Sequence, residues 1–143
     1  MPLVDPVVID GGPLRVDQVV SVARDGASVE LAASVTDRMG PARLLVERAV
    51  ESRETSYGIT TGFGALATTH IGRDDSEALQ YNLLRSHATG VGPPIDDATV
   101  RAMLLLRART LAQGHSGVRP IIVARLLAML SKNILPGGPA QGS

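Results

Sequence analysis

The sequence contains DDATVRAMLLLRARTLAQG at residues 96–114 and PIIVARLLAMLSKN at residues 120–133, two segments with the composition and end signals of apolar helices. Asp96 is a favourable N-cap residue, and Pro120 fits the first turn of a helix. Leu104, Leu105 and Leu106 are consecutive, so apolar side chains cover about 300° of the first helix at roughly 100° per residue. A helix that is apolar on nearly every face belongs inside a large core.

The remaining sequence offers too little material to surround two such helices in a chain of 143 residues. The pattern therefore predicts missing neighbours, in the form of more polypeptide, more subunits, or both. A chain of this length corresponds to one domain at most.

The composition excludes several classes of protein. Lys and Arg number 14 and Asp and Glu number 14, and this zero net charge argues against nucleic acid as the main partner. Cysteine is absent, which excludes a disulfide scaffold and a cysteine-based zinc or iron–sulfur site. Hydrophobic residues make up 44% of the chain but aromatic residues only 2%, which favours packed helices over an aromatic-rich β-sandwich. Neither a signal peptide nor a membrane-spanning run is recognisable, so we expect a soluble, cytoplasmic protein.

The rest of the chain predicts an all-α fold of mainly long packed helices with short N-terminal strands. We expect strands at residues 7–9 and 29–31 and helices at residues 15–25 and 34–53, with Pro41 kinking or splitting the second helix. A further helix should run to His87 with Asp74 or Asp75 as its N-cap. Residues 135–143, rich in proline and glycine, should form a loop.

A loop rich in glycine and threonine, SYGITTGFG, occupies residues 56–64. Its glycine spacing matches neither the dinucleotide fingerprint nor a phosphate-binding P-loop. Such a loop brings backbone close to a ligand and presents the phenol of Tyr57. A structural turn with Tyr57 and Phe63 packed inward is the alternative.

His87 shares a predicted helix face with Leu79 and Leu83, whereas Ser86 should point elsewhere on the helix. The imidazole is therefore either a hydrogen-bonded core group or a polar group that projects into an apolar pocket. The intervals of 17 and 28 residues between the three histidines fit no metal-ligand spacing, so we expect no metal site. His115 and Ser116 are expected in a turn between helices with Ser116 as a cap. A solvated or salt-bridged face is expected for the arginines of this region, with pairing to acids at subunit contacts as the alternative for some of them. They are Arg101, Arg107, Arg109, Arg119 and Arg125.

Three blocks, in this order, resemble the N-terminal part of histidine ammonia-lyase and its aromatic amino-acid ammonia-lyase and aminomutase relatives. The blocks are SYGITTGFGAL at residues 56–66, RSHATG at residues 85–90 and GHSGVRP at residues 114–120. The similarity covers about residues 5–143. It implies a helical homotetramer acting on a small amino acid, with active sites that draw on several subunits.

The resemblance also implies a cofactor. In this family an Ala-Ser-Gly triad cyclises, with loss of water, into the electrophile methylidene-imidazolone (MIO). Residues 136–143 are similar to the run that leads into this triad. We therefore expect residues 1–143 to be a single incomplete domain that ends just before the triad and is inactive alone.

The resemblance assigns roles to individual residues. Tyr57 matches the catalytic tyrosine and is the candidate base that removes the β-proton of the substrate. His87 matches a position that recognises the substrate side chain, and Gly64 and Leu66 are further substrate-binding candidates. The residues expected to shape the loop are Gly58, Gly62 and Phe63.

The Ser86-His87 pair is typical of the histidine-specific branch, which converts L-histidine to trans-urocanate and ammonia. A tyrosine ammonia-lyase or a tyrosine aminomutase with the same electrophile is the alternative within the family. A non-catalytic helical assembly module is the alternative from another class. The residues that follow Ser143 would distinguish the enzyme from the module.

Overall fold

A computed structural model describes residues 5–52, 56, 59–62 and 73–142 of the chain. In chain order, the elements are β1 (Val7–Ile9), α1 (Val16–Arg24), β2 (Val29–Leu31), α2 (Ser34–Ser52), α3 (Arg73–His87), β3 (Val91–Pro94), α4 (Asp97–Ala112), α5 (Pro120–Ser131) and β4 (Pro139–Gln141). The predicted all-α class is confirmed, because these residues form five helices and only short strands.

The chain divides into two compact units. The first unit consists of Met1–Arg43 and Pro94–Gly138, and the second of Leu44–Pro93 and Pro139–Ser143. The apolar core lies in the first unit, where α4 packs against α5 and α1. Leu105, Ala108 and Val123 are fully buried at this contact. The predicted apolar helices are therefore the centre of the fold.

The two predicted N-terminal strands are confirmed and pair in parallel, with Val7 opposite Val29 and Ile9 opposite Leu31. Gly11 follows β1 with a φ of +86°, a conformation that glycine adopts without strain. A Cβ at Gly11 would lie 2.7 Å from the carbonyl oxygen of Ala112. The turn after β1 therefore needs glycine to approach the end of α4.

Arg101 holds three chain segments together. Its Nε donates to the carbonyl of Val22 (3.0 Å), and its Nη1 donates to the carbonyl of Leu130 (3.3 Å) and to Oδ1 of Asn133 (3.0 Å). The two carbonyls belong to the last turns of α1 and α5, where helices have unpaired acceptors. The expectation that this arginine lies on a solvated or salt-bridged face is therefore wrong.

Arg109 has a similar role at the other end of α4. Its Nε donates to the carbonyl of Gly12 at 2.7 Å. The expected solvated or ion-paired face is wrong here too, because this guanidinium binds the backbone after β1.

The predicted ends of α4 and α5 are confirmed to within a few residues. Asp96 is the N-cap of α4, since its carboxylate accepts hydrogen bonds from the backbone N–H (3.0 Å) and the hydroxyl (2.7 Å) of Thr99. Pro120 opens α5 as expected, but the N-cap position is Arg119 and Ser116 is not the cap. Gly114 ends the turn after α4 with a φ of +83°, and a Cβ there would lie 2.5 Å from the carbonyl oxygen of Arg38.

Three local expectations are wrong. Pro41 does not split α2, which continues from Ser34 to Ser52, so this half of the expectation is wrong and the kink stays a prediction. Asp74 and Asp75 lie inside α3 and do not cap it, because the helix already begins at Arg73. The proline- and glycine-rich end is not all loop, since Pro139–Gln141 forms β4 and pairs with β3.

Parts of the apolar helices are left uncovered within each unit. In the first unit, Leu106 on α4 is 45% exposed and Ile121 on α5 is 48% exposed. In the second unit, Leu45 on α2 is 65% exposed and Leu84 on α3 is 69% exposed. The sequence pattern predicts such uncovered faces, and what covers them stays a prediction. Within the described part of the chain, no helix combines the length and hydropathy needed to cross a bilayer.

Candidate active site

The described part of the glycine- and threonine-rich loop is a tight turn closed on Ser56. The carbonyl of Ser56 accepts from the backbone N–H groups of Ile59 (3.1 Å) and Thr60 (3.0 Å). In return, the backbone N–H of Ser56 donates to Oγ1 of Thr60 at 2.8 Å. Thr60 and Thr61 are both buried, so the threonines stabilise the turn and do not present their hydroxyls to solvent. Sequence reasoning missed this role, although a Ser–x–x–x–Thr spacing around a glycine is a signal for it.

Several candidate residues of this loop lie outside the described part of the chain. They are Tyr57, Gly58, Phe63, Gly64 and Leu66. Gly62 is described, and it is buried at the end of the turn, where its carbonyl accepts from the hydroxyl of Thr61 at 3.1 Å. The assignment of Tyr57 therefore continues to rest on the sequence.

His87 is the last residue of α3, and its side chain is exposed within the second unit. It borders a shallow apolar depression lined by Leu83, Leu84 and Ala88. Within the described residues, His87 is hydrogen-bonded but does not belong to the apolar core. That it projects into a substrate pocket stays a prediction.

The hydrogen bonds of His87 define which ring nitrogen is free. Nδ1 lies 2.9 Å from the carbonyl oxygen of Leu83 and 3.0 Å from Oγ of Ser86. Because a carbonyl oxygen only accepts, the neutral ring carries its proton on Nδ1. Nε2 is then unprotonated and available as an acceptor at the exposed end of the ring.

Ser86 does not point away from the histidine, so that expectation is wrong. Its hydroxyl donates to the carbonyl of Leu83 at 2.9 Å, which leaves its oxygen to accept from Nδ1 of His87. The helical wheel separates neighbouring residues by about 100°. The Ser86 hydroxyl nevertheless bonds back to its own helix, and this brings its oxygen within 3.0 Å of Nδ1 of His87.

His115, the other histidine of the described residues, belongs to a different unit from His87. His115 and Ser116 are exposed in the turn before α5, which belongs to the first unit. Among the described residues, no group of three or more histidine or acidic side chains is placed to hold a metal ion. The turn at Ser56–Gly62 and His87 belong to the same unit, and both come from the segments that the sequence singled out.

Comparison with known proteins identifies the family. The family described as aromatic amino acid lyase matches residues 14–143, which is most of the chain. The chain belongs to the aromatic amino acid lyase family. The resemblance expected from the three sequence blocks is confirmed, and all three blocks lie within the matched residues.

The relatives and similar structures of this aromatic amino acid lyase chain carry two enzyme names, histidine ammonia-lyase and tyrosine aminomutase. A protein of Treponema denticola named histidine ammonia-lyase is 45% identical over 140 residues, which are 98% of this chain and 28% of that protein. Tyrosine aminomutase from Streptomyces globisporus has a similar structure, with a TM-score of 0.89 and 39% identity over 96% of this chain and 26% of that chain. Histidine ammonia-lyase from Trypanosoma cruzi gives a TM-score of 0.84 and 36% identity over 96% of this chain and 26% of that chain. The chain thus spans about a quarter of the length of these relatives.

Proposed function

We propose that this chain forms part of an ammonia-lyase that eliminates ammonia from L-histidine to give trans-urocanate. The observation that carries the proposal is the high identity of nearly the whole chain to proteins named histidine ammonia-lyase. The arrangement of His87 is compatible with it, because Nδ1 bonds to Leu83 and Ser86 and Nε2 of the neutral ring is left as an acceptor. An acceptor beside an apolar surface suits a flat side chain that has one N–H donor, such as imidazole. The 45% identity to a protein named histidine ammonia-lyase supports the same substrate.

Elimination of ammonia requires a base and a way to expel a poor leaving group. The β-proton of an amino acid is only weakly acidic, so a base must be positioned on it. Tyr57 is the proposed base, supported by its match to the family block SYGITTGFG. A phenol acts as a base only where its surroundings favour the phenolate, and the close backbone of a glycine-rich loop can supply N–H groups for this.

The leaving group requires an electrophile, and we propose that this is MIO. When bound, this group would supply an electrophile for the substrate amine and so make the amine easier to expel. Residues 1–143 contain no Ala-Ser-Gly tripeptide, so the triad proposed to form the group is not among these residues. The chain's own proposed contributions are therefore proton removal at Tyr57 and side-chain recognition at His87, with the loop residues Gly58, Gly62, Phe63, Gly64 and Leu66 beside the substrate.

We further propose a cytoplasmic homotetramer as the working state. The uncovered apolar side chains of α2, α3, α4 and α5 support burial against further polypeptide and further subunits. The absence of cysteine is compatible with a reducing compartment.

A tyrosine ammonia-lyase or tyrosine aminomutase is the second candidate. Its support is the similarity to tyrosine aminomutase of Streptomyces globisporus, with a TM-score of 0.89 and 39% identity. The free Nε2 of His87 accepts a phenol O–H as readily as an imidazole N–H, so this geometry alone admits both substrates.

The test is to incubate the full-length protein with L-histidine and with L-tyrosine and to follow the absorbance of urocanate and of coumarate. We expect urocanate to form from L-histidine, with a kcat/KM at least about 10²-fold above that for L-tyrosine. Coumarate or β-tyrosine without urocanate would establish the second candidate instead. Absence of product from either amino acid would contradict both.

A further inference from the structure

After His87, the backbone of residues 89 and 90 lies close to the backbone of Gly142. A Cβ built on Gly142 would lie 2.9 Å from Cα of Gly90 and 3.0 Å from the carbonyl oxygen of Thr89. Gly142 has a φ of +96°, so the chain turns away after β4 in a conformation suited to glycine. All of these residues belong to the second unit.

Gly90 also lies directly against Pro139, the first residue of β4. A Cβ built on Gly90 would overlap Cγ of Pro139, and it would lie 3.3 Å from Cβ of the same residue. The pyrrolidine ring is rigid and cannot rotate away from such an overlap. The φ of Gly90 is not positive, so the backbone at this position would accept alanine. The contact with Pro139 is what excludes an alanine side chain there.

The same contact continues along the two strands. The side chain of Gln141 lies across Gly92, with Cδ at 3.4 Å and Cγ at 3.5 Å from a Cβ built there. Strand β3 begins at Val91, immediately after Gly90. Glycine at positions 90 and 92 thus leaves room for the side chains of Pro139 and Gln141, and glycine at position 142 lets the two backbones approach each other.

His87 lies only three residues before Gly90, so their Cα atoms are at most about 11 Å apart. The imidazole is the last side chain of α3, and two residues separate it from the fixed contact. We propose that Gly90 is a positioning residue, whose contact with Pro139 and Gly142 fixes the end of α3 and so determines where Nε2 of His87 meets the substrate side chain. This inference rests on the proposed function, in which His87 recognises that side chain.

The main test is Gly90→Ala in the full-length protein, with KM and kcat measured for L-histidine. The added methyl group must displace the end of α3 from β4 by about 1 Å before the overlap with Pro139 is relieved. Misplacement of a substrate-positioning group by 1 Å can lower catalytic efficiency about 10²-fold. We therefore expect KM for L-histidine to rise about tenfold or more. A fraction of unfolded or inactive enzyme would lower the apparent kcat and leave KM unchanged, so KM separates positioning from a structural defect.

Two further variants make the test specific. Gly137→Ala is the matched control, because a Cβ at Gly137 meets nothing within 4 Å, and its KM should stay within about twofold of wild type. Pro139→Ala removes Cγ, so adding it to Gly90→Ala should return KM to within about twofold of the Pro139→Ala single variant. An unchanged KM in Gly90→Ala, or a rise that Pro139→Ala does not reverse, would overturn the inference.

If Gly90→Ala does not fold, Pro139→Gly tests the same contact from the other side. Removing the ring frees the end of α3, and we expect KM to rise about threefold or more. A wild-type KM in Pro139→Gly would overturn the inference.

Hydrogen exchange provides a readout that does not depend on the substrate. In peptides that cover residues 88–95 and 138–142, exchange should be faster in Gly90→Ala than in wild type and should slow again when Pro139→Ala is added. Equal exchange in wild type and Gly90→Ala would overturn the positioning inference. A wild-type protein that makes no urocanate, but whose exchange responds as expected, would contradict the proposed function alone.

Discussion

At the level of single residues, His87 presents one nitrogen to its own helix and the other to its surroundings. The carbonyl of Leu83 and the hydroxyl of Ser86 both lie within 3.0 Å of Nδ1. These contacts favour one orientation of the ring and, in its neutral form, the tautomer in which Nε2 is the acceptor for the proposed substrate contact. A pre-oriented acceptor lowers the entropic cost of recognising the substrate.

Replacing Ser86 should weaken this orientation. In Ser86→Ala, Nδ1 keeps the carbonyl of Leu83 but loses one partner, and a single hydrogen bond contributes about 0.5–1.5 kcal/mol. We therefore expect KM for L-histidine to rise about two- to tenfold with little change in kcat. The control is Ser131→Ala, which removes a hydroxyl that bonds back to its own helix at α5 in the same way. Equal KM values for Ser86→Ala and wild type would show that the hydroxyl does not orient the ring.

Removing the phenol of Tyr57 should abolish proton removal. In Tyr57→Phe the ring remains but no group can accept the β-proton, and general bases contribute about 10²–10⁴-fold. We expect kcat for urocanate formation to fall by at least about 10²-fold, with an unchanged circular dichroism spectrum and melting temperature. Tyr81→Phe serves as the matched control, because Tyr81 lies exposed on α3 and has no role in the proposed reaction. A kcat close to wild type in Tyr57→Phe would show that Tyr57 is not the base.

At the level of helices and strands, end signals were the most informative part of the sequence. Asp96 and Pro120 mark the beginnings of α4 and α5 because capping depends on residues within one turn. The long-range role of Arg101 could not be predicted, because its acceptors Val22 and Leu130 lie 79 and 29 residues away in sequence. Strand β4 was missed for a related reason, since its pairing with β3 outweighs the local preference of a Pro/Gly run for loop.

The candidate site was predictable to a similar extent. The sequence pattern placed His87 at the end of a helix, and the structure confirms this position. The pattern could not give the direction of the Ser86 hydroxyl or the burial of Thr60, because both depend on bonds to backbone groups that a helical wheel ignores.

Replacing Arg101 should destabilise the junction of α1, α4 and α5. Arg101→Met keeps most of the aliphatic length but leaves the carbonyls of Val22 and Leu130 without this donor. Hydrogen bonds from a charged group contribute about 1.5–3 kcal/mol, so we expect a loss of about 2–3 kcal/mol in urea unfolding of the full-length protein. Arg125→Met on the exposed side of α5 is the control and should change the midpoint little. Equal midpoints for the two variants would contradict the role assigned to Arg101.

The N-cap of α4 should make stability depend on pH. Two hydrogen bonds from Thr99 lower the pKa of Asp96 below its ordinary value, the larger effect coming from the hydroxyl and the smaller from the backbone N–H. A lowered pKa in the folded state means that this stabilisation is complete above the unfolded value of about 3.9 and is lost as the pH falls through the folded pKa.

Asp96→Asn should isolate this effect, because asparagine keeps the cap but does not titrate. The free energy of unfolding in urea should be larger for wild type than for Asp96→Asn at about pH 6. This difference should shrink as the pH falls toward about pH 3. Asp97→Asn, at the same helix end, controls for the loss of a charge. A difference between wild type and Asp96→Asn that is constant with pH would contradict this account.

At the level of the whole molecule, residues 1–143 have more apolar surface than they cover within each unit. Leu45, Leu84, Leu106 and Ile121 are all more than 40% exposed. Exposed apolar groups on several helices favour association, because burying them releases about 25 cal/mol per Å².

A chain limited to residues 1–143 should therefore associate. We expect light scattering to show species larger than a monomer. We also expect the fragment to bind more hydrophobic dye per residue than the full-length protein does. The quadruple variant with glutamate at these four positions should scatter as a monomer. A monomeric wild-type fragment with no dye binding would show that the chain covers these side chains by itself.

The division of the first unit into Met1–Arg43 and Pro94–Gly138 has a consequence for biosynthesis. On the ribosome, β1 and α1 emerge well before the helix that they pack against, because residues 44–93 must be translated in between. At about 5–20 residues per second, this delay lasts about 3–10 s. During this interval β1 can pair with β2, but the apolar faces of β1 and α1 that α4 covers stay exposed. A slow codon run in residues 44–93 would lengthen their exposure to chaperones and proteases.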